Sequence, residues 1–262
     1  MSELTEALVL RRVGDSELTA NADSRYEAGT GMFGGWTAAM ALRSVIDDPR
    51  HLGEPAALTI NYVRPVISGN DVLIRAQPVS SGRTIQHWRI EFLDFDDLRL
   101  LAQAIAITVT RRPTDGFTEY SMPEAPDPDS LDEAHPPGEF GKRVVIRPVF
   151  GVPYLGQETT ESLLWVRETS GRPIDAMQLA FLSDAYPPRI LYMGKEMRPS
   201  VTLTLSVYFH ATAKELEAVG DDYILNEANG TRGNDGNAGQ QARLWSPQGA
   251  LLATTEQLCW YQ

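Results

Sequence analysis

The sequence predicts an α+β protein in which two tandem repeats each wrap an antiparallel sheet around a central helix. Three observations lead there. The stretch 174–184 (IDAMQLAFLSD) is apolar on nearly every side through Ile174, Met177, Leu179, Ala180, Phe181 and Leu182, and a helix of that kind belongs inside a protein. An earlier apolar helix leads into four alternating stretches joined by short turns, which specify antiparallel pairing because parallel strands need a crossover of about a dozen residues or more. The same order of elements recurs beyond a proline-rich acidic segment, so two copies of one unit is the economical reading. The boundaries follow: a first repeat over 1–112, a linker over 113–141 and a second repeat over 142–262.

Taken in order, residues 4–13 and 18–25 read as strands. Next comes the run Gly29-Thr-Gly-Met-Phe-Gly-Gly35, opening a helix from about Trp36 to Ile46 that Pro49 closes. Gly29, Gly31 and Gly34 have the GxGxxG spacing, but the preceding NADSRYEA is no apolar parallel strand, so the dinucleotide reading is rejected. The glycines instead bring bare amides to the amino end of a helix, where they can hold an oxyanion or phosphate, or else they serve a tight turn. The meander follows over 56–64, 71–79, 84–93 and 98–111, with turn chemistry at 68–70, 80–82 and 94–97. The segment from Pro113 to Gly141 has little apolar pattern and reads as a surface linker. Strands over 143–150 and 162–168, the helix over 174–184, and strands over 201–211, 222–231, 238–245 and 251–261 complete the second copy. The Asn-Gly-rich stretch 229–239 reads as a hairpin turn.

Composition narrows the function. Of 262 residues, 23 are basic and 35 acidic, a net charge of -12 that argues against a broad nucleic-acid or anionic-membrane surface. No apolar run has the length of a bilayer span, and the opening MSELTEALVLRR lacks a signal peptide's pattern, so the cytoplasm is expected and membrane insertion is not. The single cysteine, Cys259, excludes an internal disulfide, and four histidines without paired spacing make a zinc site unexpected.

Three polar residues stand out against apolar surroundings. Asp184 sits one turn before Pro187 and Pro188, which end the helix. Burial and the helix dipole's negative end would both raise its pKa and suit it to general-base work; the alternative is a partly solvated loop acid. Gln257 appears by comparing the copies: Ala102, Ala104 and Ala106 line one face of the first copy's last strand, where the second copy has Ala253, Thr255 and Gln257. A buried amide there must find partners. Thr202 opens the strand PSVTLTLSVYFH, where strict alternation sets it opposite the Val201, Leu203, Leu205 face and away from Asp184, unless the strand entrance after Pro199 is bulged.

With these pieces assembled, the chain resembles the bacterial acyl-CoA thioesterase II family, whose members fold as a double hotdog. The resemblance is carried by Phe33-Gly-Gly-Trp36, Asn61-Tyr-Val-Arg-Pro65, Ser81-Gly-Arg83, 175–184, 201–210 and Leu251-Leu-Ala-Thr-Thr-Glu-Gln257, spread over both halves. It departs at Phe209-His-Ala-Thr212, where an Arg-Pro pair would be typical, and in the long acidic linker. The family's water-holding aspartate, threonine or serine, and glutamine would fall on Asp184, Thr202 and Gln257. The expected reaction is hydrolysis of an acyl-CoA thioester by water, with no cofactor, no covalent intermediate, and Gly34, Gly35 and Trp36 at the helix start stabilising the oxyanion or holding substrate. A homo-oligomer is implied by the resemblance alone. The rival readings are a hydratase or dehydratase of the same fold acting on enoyl-CoA, which needs a histidine–acid pair that neither His87 nor His210 shows in sequence, and a non-catalytic acyl-CoA binding protein. A Ser or Cys nucleophile finds little support, with no G-x-S-x-G elbow and no histidine near Cys259 in sequence.

Overall fold

The computed structural model describes residues 3–262. Its first element is a short helix, α1 (Glu3–Ala7), where a strand was expected. Leu4, Ala7 and Leu8 are all buried, and spacings of three and four place them on one helical face rather than on alternate faces of a strand. Of the expected strand only Arg11–Arg12 (β1) is extended; the next is β2 (Glu17–Asn21), ended by a 3-10 turn over Ser24–Tyr26 that the Asp23 side chain caps. A two-stranded ribbon, β3 (Glu27–Ala28) and β4 (Gly31–Met32), carries the glycine-rich loop into helix α2 (Gly34–Ile46). Trp36, Met40 and Leu42 of α2 are fully buried, and each such side chain stabilises the fold by about 1.5–3 kcal/mol, which holds this helix in the interior.

The first meander is β5 (Glu54–Tyr62), β6 (Asp71–Ser81), β7 (Ile85–Asp94) and β8 (Leu100–Val109). Beyond the linker come β9 (Val144–Phe150), β10 (Ser162–Glu168), α3 (Ala176–Leu182), α4 (Ile190–Met193), β11 (Ser200–Phe209), α5 (Ala213–Val219), β12 (Ile224–Asn234), β13 (Asn237–Trp245) and β14 (Leu251–Tyr261). The hairpin joining β12 to β13 turns tightly at Asp235 and Gly236, both at positive φ, so most of the stretch read as a turn is strand.

The two halves do not keep separate sheets. Among the described residues, twelve strands form one antiparallel sheet in the order β1-β2-β6-β7-β8-β5-β11-β14-β13-β12-β10-β9. Its seam is the pairing of β5 with β11, with Leu58 opposite Val207, Ile60 opposite Leu205 and Asn61 opposite Thr204. The helices meet behind this seam: Phe33 at the start of α2 packs edge-to-face on Phe181 of α3, with centroids 5.2 Å apart. No helix among the described residues is long and apolar enough to cross a membrane.

The linker is held down over its later part. Trp165 donates its indole N–H to Pro126 O at 2.9 Å, and Arg147 donates to the carbonyls of Pro128 and Leu131. Met122, Ala125 and Leu131 thereby cover a small second core of Val145, Leu163, Trp165, Tyr223, Leu225 and Trp245.

Candidate active site

Helix α3 is shorter than its apolar run suggests, and that shortening positions the acid. Asp175 caps its start by accepting from Gln178 N at 2.9 Å. Ser183 closes the last turn by donating to Ala180 O at 2.7 Å, so Asp184 lies just past the helix rather than within it. From there its carboxylate meets the amino end of α2. Gln257 Nε2 donates to Asp184 Oδ1 at 2.7 Å, and the Gly35 backbone N–H also bonds the carboxylate. Phe33 at the start of α2 makes no side-chain cap, and this acid from the other half takes that place. Desolvation dominates its electrostatics, pushing the carboxyl from its ordinary range up to about 7 although the bonds from Gln257 and Gly35 pull the other way.

The glycines expected at this helix start are needed for close approach. A Cβ added at Gly34 would lie 2.6 Å from Asp184 Oδ2, and one at Gly35 would run into Phe181 O. The Gly35 amide, expected to meet an oxyanion, is engaged here with Asp184. Trp36 is fully buried and its indole N–H donates to Ala7 O at 3.0 Å, so its side chain pins α1 to α2 rather than presenting a surface to substrate.

Gln257 lies on the inner face of β14, in the buried alternation Ala253, Thr255, Gln257, Cys259. Its Oε1 accepts from Gln240 Nε2 at 2.7 Å, and Gln240 Oε1 accepts from the Arg189 backbone N–H at 2.9 Å. Thr202 reaches the same face by a β-bulge. It stands opposite Cys259 while Thr204 stands opposite Leu258, leaving Leu203 as the extra residue, so Thr202 shares the side of Leu205 and not that of Val201. Its hydroxyl is 3.9 Å from Cys259 Sγ, which in turn is 3.8 Å from Gln257 Oε1. The structure thus brings Asp184 and Gln257 into direct contact and joins Thr202 to them through Cys259.

Sequence reasoning missed three residues here. Tyr62, at the end of β5, donates its hydroxyl to Gly34 O at 2.9 Å; burial and then the nearby Asp184 charge raise its pKa well above the ordinary value. Gln240 sits on the Ala238, Ala242 face of β13, a buried amide among alanines that the logic used for Gln257 could have found. Arg189 is 1% exposed, with its guanidinium on Pro187 O, Thr160 O, Ser162 Oγ and the Tyr192 hydroxyl, fastening the segment that follows Asp184.

Other chemistries find less here. Burial pushes the Cys259 thiol up to about 12, the reverse of what a nucleophile requires. His210 bonds the Thr254 hydroxyl, and the pairing of His135 with Glu133 at 3.0 Å lies exposed in the linker.

The family model for the acyl-CoA thioesterase N-terminal domain matches residues 22–111, and that for the acyl-CoA thioesterase C-terminal domain matches 121–261. Among solved structures, a conserved protein of unknown function with hot dog fold from Alicyclobacillus acidocaldarius is 30% identical, with TM-score 0.95 over 100% of this chain and 98% of that one. A tesB protein of Mycobacterium avium subspecies paratuberculosis is 21% identical, with TM-score 0.80 over 99% of this chain and 98% of that one. An acyl-CoA thioesterase II from Mycobacterium marinum is 19% identical, with TM-score 0.78 over the same shares, 99% and 98%. No curated protein sequence matches the chain.

Proposed function

Because the chain belongs to the acyl-CoA thioesterase family and is a thioester hydrolase, we propose that it splits an acyl-CoA into free acid and coenzyme A with a water held by Asp184, Gln257 and Thr202. One observation carries this reading: the desolvated Asp184 carboxylate, fixed by Gln257 at 2.7 Å, faces the amino end of α2. A carboxylate with its pKa near neutrality is matched to taking a proton from water at neutral pH. Asp184 removes that proton as the water oxygen attacks the thioester carbonyl. Gln257 keeps its second amide N–H to orient the water, and Thr202 supports it from the bulged end of β11. Negative charge developing on the carbonyl oxygen is stabilised by the Gly34 amide and the positive end of the α2 dipole. Collapse of the tetrahedral species expels the coenzyme A thiolate, which takes back the proton held by Asp184 and regenerates the base. The halves contribute opposite parts of the site, in keeping with a double hot dog whose repeats centre on α2 and α3.

The test is free-thiol release by the purified chain over a panel of acyl-CoA chain lengths, with Asp184→Asn beside it. General-base catalysis is worth about 10² to 10⁴ in rate, so the variant loses at least about 10² in kcat at similar KM. Undiminished turnover by Asp184→Asn removes that residue from the mechanism. Loss of enoyl-CoA absorbance without thiol release would favour a hydratase.

A further inference from the structure

We propose that Gln240 is a positioning residue that fixes which way the Gln257 amide faces and so keeps Asp184 an acceptor for the attacking water's proton; this rests on the reading of Asp184 as the base. A glutamine amide has an acceptor end and a donor end of nearly equal size, so a buried one needs its neighbours to decide its orientation. The decision starts at the Arg189 backbone N–H, which can only donate. Gln240 must present Oε1 to it, at 2.9 Å, which leaves Nε2 for Gln257 Oε1 at 2.7 Å. Gln257 must then turn its own Nε2 to Asp184 Oδ1, at 2.7 Å. Both amides are buried and bonded to each other, so reversing either would set two acceptors or two donors against each other.

The start of the relay is itself anchored. The Arg189 guanidinium donates to Pro187 O, Thr160 O and Ser162 Oγ, which holds its backbone N–H in place against β13. Gln257 engages Oδ1, and Oδ2 lies toward Gly34, where a methyl would come within 2.6 Å of it.

The experiment uses the full chain with Gln240→Met and Gln240→Glu, following kcat and KM by thiol release from acid to alkaline pH, with melting temperature and near-ultraviolet circular dichroism at each pH. Gln240→Met keeps the volume and removes the polarity, so kcat falls about 10-fold with KM unchanged. Adding it to Gln257→Leu causes no further loss. Gln240→Glu separates positioning from packing. While protonated, its carboxylic acid accepts from Arg189 and donates to Gln257 as the amide did, preserving turnover. Once ionised, it can only accept, so Gln257 turns round and kcat gains a descending alkaline limb absent from the parent. A parental pH profile in Gln240→Glu, a Gln240→Met that turns over normally, or losses that merely follow unfolding at every pH would each overturn the proposal. If Asp184→Asn is inactive while both Gln240 variants behave as the parent, the relay alone falls. If Asp184→Asn is active, the base assignment falls and the relay with it.

Discussion

Tyr62 and Asp184 close on Gly34 from two sides: a methyl placed there would lie 3.2 Å from the tyrosine hydroxyl and 2.6 Å from the aspartate Oδ2. Gly34→Ala should therefore displace the carboxylate while leaving the helix intact, because alanine favours a helix over glycine by roughly 0.5–1 kcal/mol. We expect kcat to fall about 10- to 100-fold with the melting temperature held or raised. Equal losses of activity and stability would point to a packing defect instead.

The pH profile follows from the same acid. A base that titrates at about 7 is protonated below that pH and idle, so kcat should rise to a plateau with a midpoint near neutrality. Initial rates of thiol release across that range check it. A midpoint near the ordinary carboxylate value, about 4, would mean that the folded chain does not desolvate Asp184 as described.

Stability should run the opposite way. The Asp184 pKa is higher in the folded chain than in the unfolded one, where it is about 4. As pH rises from about 4 to 7, the unfolded state ionises first and stability declines, reaching its full penalty above 7. Asp184→Asn removes this titration, so it should melt higher than the parent at pH 8 and lose that advantage toward pH 4. Thermal unfolding of the pair over this range decides the matter; a constant difference would exclude Asp184 as the cause.

The bulge sets which way Thr202 faces: with Leu203 unpaired, Thr202 stands two ladder positions from Leu205, opposite Cys259, so deleting Leu203 should restore regular pairing in β11 and leave Thr202 on the inner face. Turnover of the deletion variant should therefore stay near the parent's, whereas Thr202→Val should fall about 10-fold below it and Thr202→Ser keep most of it. A deletion variant that melts like the parent but turns over no faster than Thr202→Val would overturn this account of how Thr202 reaches the inner face.

What the sequence displays is what alternation and helical spacing can encode. Asp184 was legible because Pro187 and Pro188 mark the end of an apolar run, and Gln257 because it replaces Ala106 in the matched strand. Thr202 was legible only on condition of a bulge, since alternation set it on the wrong face and the register against β14 is what supplies the extra residue. The first residues misled for a similar reason: Leu4, Ala7 and Leu8 have helical spacing inside a segment too short for the period to declare itself. Gln240 lay within the expected strand 238–245 but, beside outward-facing Gln241, reads as an ordinary polar strand residue until its alternation with buried Ala238 and Ala242 is seen. Nothing local announces the seam between β5 and β11, because edge pairing between distant strands leaves no mark on either.

That seam changes what a cut in the polypeptide would do. The bond from residue 111 to the following segment is a tether, whereas cohesion across the molecule comes from the β5–β11 ladder and the α2–α3 contact. A protease nick near the exposed Phe117 should therefore yield two fragments that migrate together and still hydrolyse thioester, and separately expressed pieces should regain turnover only on mixing. Neither fragment alone carries both the acid and the helix end that it faces, so catalysis here belongs to an association that happens to be covalently leashed.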